Sequence, residues 1–223
     1  MQVLKILFLS IPLAGFATTT DEVLAKIDQS APKFSTMSAG ISQANYTKVL
    51  DEKTVETGQI SLKKSGPRDL AVLIDFTKPN PRTVAFSGRK AEIYYPKLKT
   101  VQEYDLGKRS DLLNQFLLVG FGTTGKELKK NYSVKYVGDE TVGGQPTHRL
   151  ELIPSPSASI EKLQKLELWV AADGAYPVQQ KFIQDSGDYY LITYTDVKLN
   201  TQLGDDALKL KLPKGVKREF PGK

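Results

Sequence analysis

From Asp21 the apolar residues Val23, Leu24, Ile27, Ala31 and Phe34 recur at spacings that place them on one face of a helix. Thr20 is placed to cap it, Asp21 and Glu22 suit its positive first turn, and Pro32 either ends or kinks it. The period then falls from 3.6 to 2. Ile60 and Leu62 share a face in GQISLKK, and Leu70, Val72, Ile74 and Phe76 share one in DLAVLIDF. TVAFSG, with Val84 and Phe86 on the same parity, AEIYY and KTVQEY follow, separated by the turn signals KPNP, SG and YPK. Later come SVKYVG, THRLELIP (Leu150, Leu152), KLELWVAA (Leu166, Leu168), YPVQQKFI, YYLITYTDVKL and ALKLKLP. In ALKLKLP, Leu208, Leu210 and Leu212 oppose Lys209 and Lys211, as in a half-buried strand. Short alternating runs with turns between them predict an antiparallel meander, so the fold class is mainly β with a minor α part (α+β). Ten or more such strands cannot stay flat, because strand twist accumulates, and one large curled sheet is expected.

Between the two groups of strands lies SDLLNQFLLVGFGTTGKELKKNY. Ser110 reads as an N-cap, and Leu112, Leu113, Phe116 and Leu117 make a strong apolar stripe. The pair Gly120 and Gly122 stops that helix, and a second helical turn follows from Lys126 to Lys130. GFGTTGKE (120–127) stands one residue short of the phosphate-binding pattern G-x-x-x-x-G-K-[ST], and AVLID (71–75) looks like a strand that could hold magnesium. The context argues against it. A phosphate loop follows a buried parallel strand, whereas here a helix precedes the loop. Glu127 stands where a hydroxyl must coordinate magnesium, and AVLID runs straight into the turn FTKPNP. The glycines Gly120, Gly122 and Gly125 therefore read as a hinge.

The chain has 223 residues, no cysteine and one histidine. Thiolate metal sites and disulfides are excluded, and a serine triad is confined to His148. On a strand His148 and Glu151 point to opposite faces, so they cannot share a metal; neither a metal nor a cofactor is expected, nor an enzyme. The first residues, MQVLKILFLSIPLAGFA, carry only Lys5 and have the layout of a secretory leader, with cleavage after Ala17. Phe16 stands where a lipid-bearing cysteine would be needed, so the domain of residues 18–223 is expected to be exported, soluble and unanchored. Its net charge is +6 − 1 = +5. The lysines are spread over solvent faces without an arginine stripe or recognition helix, which argues against nucleic acid. The telling signal is apolar. Ile60, Leu62, Val72, Ile74, Phe76, Val84 and Phe86 share inward parity with Leu150, Leu152, Leu166, Leu168, Leu208 and Leu210, and only a few short helices exist to cover them. A core filled by those helices is the plain reading; a curved sheet under small lids also favours a cavity able to accept an acyl chain.

The order of these elements resembles the periplasmic lipoprotein-carrier family (LolA-like). GQISLKK before a proline is similar to that family's G-x-L-x-L-K-R-P strand end, and VLIDFTKPN to the strand and turn that come next. FSGRKAEIYYPKLKTVQEYDL, ELWVAADGAYPVQQKFI and LKLKLPKGVK match later segments in the same order. The resemblance implies an incomplete β-barrel with helices as a lid over an apolar cavity, and a protein that shuttles acylated lipoproteins or related lipids across the periplasm. A donor transporter in the inner membrane and an acceptor at the outer membrane would be its partners. The family's functional arginine falls on Lys64, a lid-latch candidate that lacks the bidentate fork. Relatives of this fold also include envelope-stress regulators and carriers of other lipids. The barrel is expected to close the chain at VKREFPGK, without the extra domain such regulators carry, and a nearly closed barrel with few free edges suggests a monomer.

Overall fold

A computed structural model describes residues 18–66, 69–107, 119–156, 162–204 and 206–221. The expected leader (1–17), the cap at Ser110 and the lid side chains Leu112, Leu113, Phe116 and Leu117 lie outside the described residues. Helix α1 spans Thr20–Ser30. Its cap is Thr19 rather than Thr20: the Glu22 N–H donates to Thr19 Oγ1, and Glu22 returns a carboxylate to the Thr19 N–H. Thr20 is used differently, accepting from the Tyr136 N–H at 2.9 Å. Pro32 ends the helix, in a tight turn over Ala31–Lys33.

Twelve strands form one sheet. They are β1 (Thr36–Thr47), β2 (Glu52–Gly66), β3 (Asp69–Lys78), β4 (Arg82–Ser87), β5 (Lys90–Tyr95) and β6 (Thr100–Asp105), then, after helix α2 (Gly125–Asn131), β7 (Tyr132–Val142), β8 (Gln145–Pro154), β9 (Leu163–Ala171), β10 (Pro177–Gln184), β11 (Tyr189–Leu199) and β12 (Lys217–Glu219). The spatial order is β12-β6-β5-β4-β3-β2-β1-β11-β10-β9-β8-β7, so the sheet curls without closing. Two meanders, β1–β6 and β7–β11, are stitched together by β1 against β11, from Met37–Leu199 to Tyr46–Tyr189. Every pair is antiparallel except β12 with β6. The expected open antiparallel sheet with a few helices is what forms.

Two apolar clusters occupy the concave side. One packs Val23, Leu24 and Ile27 of α1 and Leu128 of α2 onto Leu150, Leu152, Leu166, Leu168 and Phe182. The other gathers Met37, Ala39, Ile41, Ile60, Leu62, Leu70, Val72 and Phe86 around Phe121 and Tyr194. Full burial of one such side chain contributes about 1.5–3 kcal/mol, so the two clusters dominate the favourable side of folding.

The expected strand at ALKLKLP does not form, and the reason is topological. β11 already has β1 and β10 as neighbours, so the chain leaving Leu199 finds no free edge beside it. Asn200 and Thr201 are pinned against Ser35 and Thr36, and the chain next joins the sheet where Lys217–Glu219 pairs with β6. In between, Leu208, Leu210 and Leu212 line a groove with Lys63, Ser65, Ala71, Ala85 and Ser87, and with Phe86 of the same strand. Apart from Phe86, those strand residues have the parity opposite to Leu62 and Val72, which puts Leu208 and Leu210 on the convex face, half-buried and outside the concave wall.

Candidate functional site

On the wall of the β1–β6 half, side chains form rows across the strands. Ile60 pairs with Ile74, Ile74 with Val84 and Val84 with Ile93; Leu62 pairs with Val72, and Val72 with Phe86. Ile60, Leu62, Val72, Phe76 and Phe86 are buried, whereas Ile74, Val84 and Ile93 keep part of their surface accessible. The opposite half differs. Leu150, Leu152, Leu166 and Leu168 are 0% exposed, because α1 and α2 fill the space above them. The structure thus brings together Ile60, Leu62, Val72, Ile74, Phe76, Val84 and Phe86, places the β8–β9 leucines in a filled core, and separates Leu208 and Leu210 from both.

The segment 119–124 runs between the two clusters and is fastened to each. Gln180 Nε2 donates to the Val119 carbonyl at 2.6 Å, and the Tyr194 hydroxyl donates to Gln180 Oε1 at 2.8 Å. Phe121 is 1% exposed, edge-on to Tyr194 with centroids 5.2 Å apart and tilted against Phe34 at 5.8 Å. Lys64 Nζ donates to the Gly122 carbonyl at 2.8 Å, while the Lys64 N–H donates to the Ser35 carbonyl. Gly120 and Gly122 have φ of +83° and +69°, a region that costs an L-residue about 1–2 kcal/mol. A Cβ on Gly120 would lie 2.5 Å from Pro177, and one on Gly122 would lie 2.8 Å from Phe34. Gly125 is not part of this bend. It opens α2, its N–H donating to Asp28 of α1 at 2.7 Å, and a Cβ there would press on Leu24.

The near-match to a phosphate loop has a local explanation. Thr124 caps α2, its hydroxyl accepting from the Glu127 N–H while the Thr124 N–H donates to the Glu127 carboxylate. The sequence T-G-K-E is a capping box. Hydrogen bonds from Thr124 hold the Glu127 carboxyl below the usual carboxylate range, with Lys64 and Lys130 adding to the effect.

His148 lies at the rim of the filled half. Lys26 Nζ lies 3.2 Å from its Nε2, and its Nδ1 is hydrogen-bonded with Asp139 Oδ1 at 2.6 Å. Asp139 is held below its ordinary pKa, chiefly by that bond. Glu151 points the other way and pairs with Lys165. Among the described residues no cluster of histidine and carboxylates could hold a metal, and no helix is long and apolar enough to cross a membrane.

Sequence reasoning missed Phe121, Gln180 and Tyr194. The signal was a glutamine at the inward parity of Val178, Gln180 and Phe182: a polar residue at a core position needs a buried partner. Burial raises the Tyr194 phenol well above its ordinary pKa.

A family model described only as "uncharacterized protein" matches residues 73–205. Uncharacterized protein MJ0687 of Methanocaldococcus jannaschii is 26% identical over 124 residues, 56% of this chain; the match spans about a third (34%) of that curated relative. Among solved structures, an uncharacterized conserved protein from Thermus thermophilus superposes with a TM-score of 0.55 at 12% identity, over 90% of this chain and 98% of its own. MucB gives 0.53 at 13% identity, over 86% of this chain and 62% of MucB, and its complex with MucA has been solved. The Mycobacterium tuberculosis lipoprotein LppX gives 0.50 at 15% identity, over 83% of this chain and 99% of its own. At these identities the likeness shows a shared fold.

Proposed function

We propose that this chain is a LolA-like exported periplasmic carrier that holds an acyl chain of a lipoprotein or a related lipid against the concave wall of β2–β5. The observation that carries this reading is the contrast between the halves: α1 and α2 fill one, while on the other Ile74, Val84 and Ile93 remain partly open beside a segment held by polar contacts. Leu112, Leu113, Phe116 and Leu117 would be the lid, Gly120 and Gly122 its hinge, and Lys64 its latch. Magnitudes allow displacement. A hydrogen bond from a charged donor, such as Lys64 to Gly122, contributes about 1.5–3 kcal/mol net. Each buried methylene contributes about 0.8 kcal/mol, so roughly two to four offset the latch. Transfer from an inner-membrane donor to an outer-membrane acceptor would follow from that balance.

A fluorescent fatty-acyl probe tests the reading. It should bind, and Ile74→Asp or Val84→Asp should abolish binding in protein that still folds, whereas Leu210→Asp on the convex face should leave it intact. Equal binding by all four proteins would reject the concave wall as the site. The MucB–MucA complex favours one other reading, a regulatory module that binds a protein partner. Copurification of a protein instead of lipid mass from the periplasm would select it.

A further inference from the structure

Beside the 119–122 bend a cavity of about 430 Å³ opens between the end of α1, the β9–β10 turn and the start of the convex crossover. Its size lies within the usual range for small-molecule sites, roughly 300–1,000 Å³. Its lining is divided. Phe34, Phe121, Tyr176 and Leu199 make an apolar floor, and Lys26 and Lys33 stand at the rim opposite a single acid, Asp173. Lys33 is exposed in the turn that follows α1; Lys26 also holds His148. Phe121 separates this cavity from Met37, Ile60 and Leu62, because it belongs to their cluster while also lining the cavity. It sits between two glycines of positive φ, and the Lys64 ammonium lies against the Gly122 carbonyl just past it.

We propose that this cavity is the entry port for a single-chain amphiphile with an anionic head. The head rests on Lys33 and Lys26, the tail displaces Phe121, and the chain then reaches the wall described above. The port rests on the carrier reading and adds to it a ligand class, a point of entry and a gate. Two lysines against one aspartate favour an anion over a zwitterion. The apolar floor leads from the charged rim to Phe121, which stands between the cavity and the interior cluster, and that is the order of groups in such a ligand.

The test compares a fluorescent C16 fatty acid with its methyl ester at pH 7.5, in the unaltered protein and in two variants, all three checked by circular dichroism. Lys33→Glu should weaken the acid about fivefold, the scale of a partly exposed charge pair, and leave the ester unchanged. Phe121→Ala should speed uptake of both. Competition by lysophosphatidylglycerol but not lysophosphatidylcholine would extend the head class from carboxylate to phosphate; competition by neither would confine it to carboxylates. If acid and ester bind alike and Lys33→Glu alters neither, the port is overturned while the carrier reading stands. If neither binds, both fall.

Discussion

Gly122 is the residue where a backbone requirement and a side-chain contact meet. Its φ of +69° favours glycine, its carbonyl receives Lys64, and the space a Cβ would need is taken by Phe34. Gly122→Ala should therefore cost about 1–2 kcal/mol from the backbone alone, before any movement of Phe34. A drop in Tm of roughly 2–8 °C in a thermal melt is expected for a chain of this size; an unchanged Tm would mean the bend is not held as described. Two tyrosines set an alkaline limit. Burial pushes the Tyr132 phenol up to about 12 and raises Tyr194 as well. Folding therefore favours the neutral phenols. Their contribution is complete below the ordinary value of about 10 and is lost as pH climbs past it toward the folded value. Urea midpoints should fall between pH 10 and 12, and the fall should be smaller in Tyr132→Phe.

Among the elements, α2 depends most on its cap. It runs only from Gly125 to Asn131, too short to be stable from propensity alone, and is held by Thr124, Asp28 and the burial of Leu128. Thr124→Ala should destabilise the protein by about 1 kcal/mol, seen as a lower urea midpoint at unchanged slope. Thr124→Ser should restore it. The T-G-K-E box was legible in the sequence as soon as the glycine and lysine were not read as a phosphate loop. So were α1 and most strands, because their apolar residues recur at clean periods. β1 was not. Its inward residues Met37, Ala39 and Ile41 alternate with serines and Gly40, giving little hydrophobic contrast, yet it holds the two meanders together. ALKLKLP misled for the converse reason: alternation is a local property, whereas a strand also needs a free partner edge, and the connectivity had already used both edges of β11. The concave wall could be read in part. Parity identified its side chains but could not tell that α1 and α2 would fill the β8–β9 half and leave the β3–β5 half less covered.

At the scale of the molecule that asymmetry has a dynamic consequence. The β7–β10 half is packed throughout, with Leu150, Leu152, Leu166 and Leu168 sealed beneath two helices that are themselves joined by Asp28 to Gly125 and by Lys129 to Asp21. The β3–β6 half keeps Ile74, Val84 and Ile93 partly accessible and ends in the three-residue strand β12. Local opening requires less buried apolar surface to be exposed there, so its amides should exchange sooner. Hydrogen exchange read by mass spectrometry should find peptides from β4 to β6 labelled before those from β8 and β9, under conditions where the whole protein stays folded. An acyl ligand on the concave wall adds buried surface to the less covered half only. Saturation with the fluorescent probe should then slow exchange in β3 to β5 and leave β8 and β9 unchanged. Slowing confined to β8 and β9 would place the ligand beneath α1, where the packed leucines leave it no room without displacing a helix.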